Sequence, residues 1–222
     1  MKVLFVGNSY TLYGDVPGQV AALAAADPEG PAIETDRVAQ GGATLKLHAT
    51  PSPGSGTGAW DRVADPEWTH VVLQEKSTGT LHDAPDYHRY VRALGERVRG
   101  EVLLYETWAR RPGHEVYRWG WSGKRPSTMR RRVRAELELA ARDLRARIVP
   151  VGTAWERCME RYPDLDLYDA DGHHASAIGS HLAACTFYAF LSGRDAAQSD
   201  FLPPGVDADA ARRVRAAVAS VV

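Results

Sequence analysis

Three polar positions in this chain have the residue types and spacing needed for acyl chemistry. Ser9 follows the apolar run Val3-Leu4-Phe5-Val6 and the turn Gly7-Asn8. Late in the chain, Asp171-Gly172-His173-His174 supplies an acid and two imidazoles within four residues. A serine hydroxyl is a poor nucleophile at neutral pH and needs an adjacent base. A histidine can be that base if a second group fixes its tautomer and steadies the charge it acquires, and an Asp three residues earlier can do so locally. Taken alone, Ser9 reads first as a turn residue; the partners make it a candidate nucleophile. Of the adjacent imidazoles, at most one is the base. The spacing from Asp171 and the Ser176/Gly179 pattern favour His174, with His173 expected to be exposed.

These groups need a scaffold that brings residues 9 and 174 together. A continuous apolar run ending in a turn reads as a strand buried on both faces, the inner strand of a parallel sheet. Further strands are expected over residues 33–39, 70–74, 101–105 and 148–151. Helices are expected over 15–26, 87–98, from 127 onward, 154–161, 177–191 and from 207. The helix after Ser127 is the clearest, with Met129, Val133, Leu137, Ala140 and Leu144 recurring at spacings of three and four. A stretch over 50–58 rich in Pro, Gly and Ser reads as loop. Strands alternating with helices imply a five-stranded parallel sheet covered by helices on both faces, a three-layer flavodoxin-like α/β sandwich. All carboxyl ends of such a sheet lie on one edge, so Ser9, Gly42 and Gln74, each at or just beyond a strand end, can meet there.

Bulk composition excludes several classes. At 222 residues the chain reads as a single domain, 1–222, able to bury roughly 70% of its unfolded surface without disulfides or metal. Net charge is -1, which gives no reason to expect nucleic acid or a membrane as partner. Cys158 and Cys185 read as buried thiols of a reducing compartment. The stretch before Gly7 is too short for a signal peptide, so a cytoplasmic protein is expected. Residues 97–147 hold 14 Lys/Arg against 6 Asp/Glu, which reads first as a solvated helix face and second as an attractor of anions.

The Gly7-Asn8-Ser9 turn, the Gly42-Ala43-Thr44 block and the run Asp171-Gly172-His173-His174-Ala175-Ser176 with Gly179 and Leu182, in this order along nearly the whole chain, resemble the SGNH (GDSL-type) hydrolase superfamily. The resemblance implies Ser9 as nucleophile, Asp171 as acid and His174 as base. It also implies an oxyanion hole from the backbone N–H of Ser9 and that of Gly42, plus an Asn side chain. The family's Gly-x-Asn-Asp block is absent; Leu73-Gln74-Glu75-Lys76-Ser77 stands in its place, as in a divergent branch, and Gln74 is the substitute donor. Asn8 and Trp108 are assigned to substrate contact, and aromatics within 110–126 to a possible wall for a sugar or acyl group. No metal or organic cofactor is required. The implied activity is hydrolysis of short acyl esters, acetyl or similar, with carbohydrate esters among the candidates and a small-molecule ester as the partner. Two other readings remain open: a flavodoxin-like protein holding a phosphate or nucleotide at the Ser9 turn, and an SGNH-like protein without activity.

Overall fold

Alternation along the inner strands accounts for the layering. In the computed structural model, which describes residues 1–51 and 56–222, Val3 and Phe5 face one apolar cluster and Leu4 and Val6 the other. Val72, Leu103 and Tyr105 join the first cluster; Val71, Leu73, Val102 and Leu104 join the second. The strands are β1 (Lys2–Gly7), β2 (Glu34–Ala39), β3 (His70–Leu73), β4 (Glu101–Tyr105) and β5 (Arg147–Val149). They form one five-stranded sheet in the order β2-β1-β3-β4-β5, every pair parallel. The expected flavodoxin-like α/β fold is therefore the fold observed.

The helices are α1 (Ser9–Leu12), α2 (Val16–Ala25), α3 (Leu45–His48), α4 (Ala59–Arg62), α5 (Gly79–His82), α6 (Ala84–Gly95), α7 (Pro126–Leu144), α8 (Val151–Arg161), α9 (Ala177–Ser192) and α10 (Ala208–Val218). Residues of α2, α8, α9 and α10 supply the cluster on one face of the sheet, and residues of α3, α6 and α7 the cluster on the other. The loop expected over 50–58 lies partly outside the described residues. Among the described residues, no helix is long and apolar enough to cross a membrane.

Several boundaries depart from expectation by a few residues, and three of them fall at a proline. α6 starts at Ala84 with Pro85 in its first turn, and α7 starts at Pro126 itself; proline is preorganised for a first helical turn and needs no N–H there. The last strand ends at Val149, because Pro150 cannot donate to a ladder and instead precedes α8, which starts at Val151.

The sheet order reverses direction between β1 and β3. Both carboxyl ends open there, Gly7-Asn8-Ser9 from one and Gln74 from the other, which is where open α/β sheets bind ligands.

Candidate active site

The turn after β1 requires glycine for reasons of space. A Cβ on Gly7 would lie 2.4 Å from Thr11 Oγ1 and 2.5 Å from Gln74 Oε1. Asn8 then caps α1, its side chain accepting from Tyr10 N at 3.2 Å. The backbone N–H of Ser9, at the first helical position, donates to no acceptor among the described residues. Ser9 sits half-buried just beyond the end of β1.

The candidate base, His174, comes from a loop pinned at several points. Trp108 donates Nε1–H to the His173 carbonyl at 3.0 Å, and Arg111 N–H donates to the Gly172 carbonyl at 2.9 Å. Asp169 N–H donates to the His174 carbonyl at 2.9 Å. Ser176 caps α9 through Gly179 N and also donates to Asp166 O at 2.8 Å. A Cβ on Gly179 would lie 2.2 Å from the Leu167 carbonyl oxygen, so α9 and the loop approach as closely as glycine allows.

This scaffold places His174 Nε2 2.8 Å from Ser9 Oγ and His174 Nδ1 2.5 Å from Asp171 Oδ2. The other oxygen of Asp171 accepts the backbone N–H groups of His173 and His174, each at 2.9 Å. Burial on its own raises the Asp171 pKa, but those two N–H groups and the His174 ring outweigh it and hold the carboxyl well below the usual range. An ionised Asp171 makes Nδ1 the protonated nitrogen of a neutral His174, leaving the Nε2 lone pair to accept the Ser9 proton. Tyr13, 48% exposed, lies over the imidazole with ring centroids 4.4 Å apart. His173 is half-buried rather than exposed and helps line the cavity over Ser9, of about 300 Å³. Its ring offers a ligand atom near those of Asp171 and His174, all within 4.8 Å. Both His174 nitrogens, however, are already engaged by Asp171 and Ser9.

Gly42 lines the same cavity at φ +72°, and a Cβ there would meet nothing within 4 Å. Backbone conformation, not space, requires glycine at this position. Its N–H has no acceptor among the described residues, like that of Ser9, and both residues line the same cavity.

Gln74 does not serve as the third donor. Its side chain is fully buried, and Nε2 already donates to Asn8 Oδ1 at 3.0 Å and to Glu75 O at 2.9 Å. Its Oε1 accepts from Asn8 N and Thr11 Oγ1. With both amide hydrogens engaged, Gln74 braces the turn that carries Ser9. Asn8 is likewise 2% exposed, and it ties the turn to the Gly42 loop through Nδ2 and the Ala43 carbonyl. It forms wall more than contact surface. Trp108 is a core residue, 1% exposed and stacked on Trp155 with centroids 4.1 Å apart. Its expected place as a substrate contact is corrected to support of the His174 loop.

Several residues near the site carried no sequence signal. Glu75, 7% exposed, accepts from Leu45 N and Lys76 N and so joins the Gln74 segment to the helix after Gly42; burial pushes its pKa up. His48 is fully buried, with Nε2 2.8 Å from the Gly7 carbonyl. Lys76 and Arg110 line the cavity over Ser9. Their position just past the ends of β3 and β4 was the available clue.

No family model matches the chain, and no curated protein matches it. Solved structures do. A candidate SGNH hydrolase from Slackia heliotrinireducens is 28% identical over 86% of this chain and 99% of its own, with a TM-score of 0.70. A DUF4886 family protein from Bacteroides uniformis is 21% identical over 99% of this chain and 93% of its own, at TM-score 0.80. Axe2, an acetylxylan esterase from Geobacillus stearothermophilus, is 18% identical over 84% and 91%, at TM-score 0.59. With the strand order, the Gly-Asn-Ser turn and the Asp-x-x-His loop all in place, the chain is a divergent SGNH-like superfamily member.

Proposed function

We propose that this chain is a serine ester hydrolase working through an acyl-enzyme on short acyl esters, with carbohydrate esters as the substrate class. The observation that carries the reading is the unbroken chain from Ser9 Oγ through His174 to Asp171, at 2.8 and 2.5 Å. His174 takes the Ser9 proton as the oxygen attacks the ester carbonyl, and Asp171 steadies the imidazolium. The N–H groups of Ser9 and Gly42 receive the oxyanion. His174 returns the proton to the departing alcohol, and water then releases the acid by the same steps in reverse. The small cavity over Ser9 supports a short acyl group, and the structural likeness to an acetylxylan esterase supports the same class. Two buried free thiols, Cys158 and Cys185, support a reducing, cytoplasmic setting.

The phosphate-binding reading has less to stand on. The helix after the turn spans only four residues, and the N–H groups of Asn8, Tyr10, Thr11 and Leu12 all have acceptors.

A serine-reactive fluorophosphonate is expected to label the protein, and Ser9→Ala to abolish both labelling and turnover of short aryl acetates. Loss of His174 should cost far more activity than loss of His173. An unlabelled Ser9 in a protein that turns over no short ester would overturn the proposal.

A further inference from the structure

The cavity over Ser9 adjoins a larger one, of about 480 Å³, and two residues line both: Lys76 and Arg110. Arg110 is 8% exposed, and its Nε and Nη1 are buried without a hydrogen-bond partner. Neither cation takes part in any ion pair among the described residues. Arg130 and Arg134 of α7, by contrast, both reach the buried Glu106. The one carboxylate of the reactive centre, Asp171, is committed to His174 and to two backbone N–H groups. Asp83 and Glu115 also face the larger cavity, and neither is paired with Lys76 or Arg110. A buried guanidinium with unused donors is expensive to maintain unless something accepts from it. Its planar fork matches a carboxylate.

The larger cavity also presents Trp119, 62% exposed, and Trp121, whose ring lies 5.5 Å from that of His82. Flat aromatic walls beside fixed polar groups suit a ring-shaped ligand. With the smaller cavity occupied by a short acyl group, the larger one is left for the alcohol.

We propose that the substrate is an anionic ester, with a carboxylate on a ring-bearing alcohol portion held between Arg110 and Lys76 while the ring lies against Trp119 and Trp121. This rests on the hydrolase reading and narrows it to a substrate class. It assigns Arg110 and Lys76 to substrate selection, and the charge they recognise belongs to the alcohol.

A matched pair of esters tests it: 3-acetoxybenzoate and its neutral counterpart 3-acetoxybenzamide, compared by kcat/KM. The protein is expected to prefer the carboxylate about tenfold or more, the scale of a charge-assisted hydrogen bond. In Arg110→Gln, and separately in Lys76→Gln, the ratio should fall toward one. Arg99→Gln, which removes an exposed charge just before β4, at the opposite edge of the sheet, should leave the ratio as it was. A ratio near one in the unaltered protein, or an unchanged ratio in both cavity variants, would overturn the proposal. Thermal unfolding shows whether each variant folds, and the half-buried Lys76 provides the second arm if Arg110→Gln does not. If neither ester is turned over, the hydrolase reading fails, and the anion site is still read directly. Tryptophan fluorescence should then report tighter binding of 3-hydroxybenzoate than of 3-hydroxybenzamide, with the difference lost in the variants. Equal binding of the two, or none, would remove the site.

Discussion

Asp171 does two jobs with its two oxygens, and an isosteric change separates them. In Asp171→Asn the Oδ1 atom can still accept the N–H groups of His173 and His174, so the loop should keep its shape. The amide nitrogen then faces His174 Nδ1 and forces that atom to be the acceptor, which places the imidazole proton on Nε2, toward Ser9. That tautomer cannot take the hydroxyl proton. We expect kcat to fall by about 10³–10⁴-fold with a thermal midpoint close to that of the unaltered protein. A variant retaining more than a tenth of the rate would remove Asp171 from the mechanism. Because the Asp171 carboxyl is held well below its usual range, it stays ionised wherever the protein is folded and active. The acidic limb of kcat/KM is therefore not set by Asp171.

At the scale of elements, the site depends on three loops braced against one another, and Gln74 and Trp108 test the bracing. Gln74→Leu leaves the Asn8 N–H and the Thr11 hydroxyl without their buried acceptor and takes one of its two donors from Asn8 Oδ1. Each such loss costs about 1–3 kcal/mol, so both the thermal midpoint and kcat should fall together. An oxyanion donor would behave differently, losing kcat by more than a hundredfold at an unchanged midpoint; that outcome would restore Gln74 to the reaction. Trp108→Ala removes the stack on Trp155 and the bond to the His173 carbonyl. It should cost about 3–5 kcal/mol, roughly 10 °C in midpoint for a chain of this size. Trp108→Phe should recover part of the stability while the His174 loop, still lacking its indole N–H, stays impaired in kcat. How far these elements can be read in advance follows from what sets them. The β1 run, the α7 periodicity and the Asp171-to-His174 spacing are local patterns, and they foretell the parallel sheet and the Ser9–His174 meeting. Gln74 and Trp108 occupy places set by packing across 66 and 65 residues of chain. An amide at a strand end looks the same in sequence whether its hydrogens face a cavity or a neighbouring turn. The pairing of Lys76 with Arg110 at a shared wall is of the same kind, since no spacing links positions 76 and 110.

For the whole molecule, the buried titratable groups set how acid unfolds it, and they act in two separate windows. His181 is fully buried beside Gln19 and Cys185, and burial, aided by Arg215, lowers its pKa from 6.5 to about 4. Burial also lowers that of His48, in spite of the Gly7 carbonyl. Each takes up its proton at lower pH in the fold than in the unfolded chain, where an imidazole does so near 6.5. The unfolded state therefore binds more protons as pH drops, and stability falls from about pH 6.5 down to about pH 4. For His181 alone the loss amounts to about 3 kcal/mol across that window. Asp27 acts lower down. Bonds from Arg194 first, and then from Tyr188, hold its carboxyl at about 2 against an ordinary 3.8. The stabilisation it provides is whole above about pH 4 and disappears as pH falls toward 2. Urea unfolding at pH 7, 5.5 and 4.5 separates the two. The unaltered protein should already lose stability between pH 7 and 4.5, before Asp27 begins to titrate. His181→Gln, which can still bond to Gln19, should start lower at pH 7 and decline less steeply over the same interval. Arg194→Gln should keep the slope above pH 4 and move the final acid transition upward. Equal slopes in the unaltered protein and His181→Gln would mean that His181 is not the group that takes up the proton on unfolding.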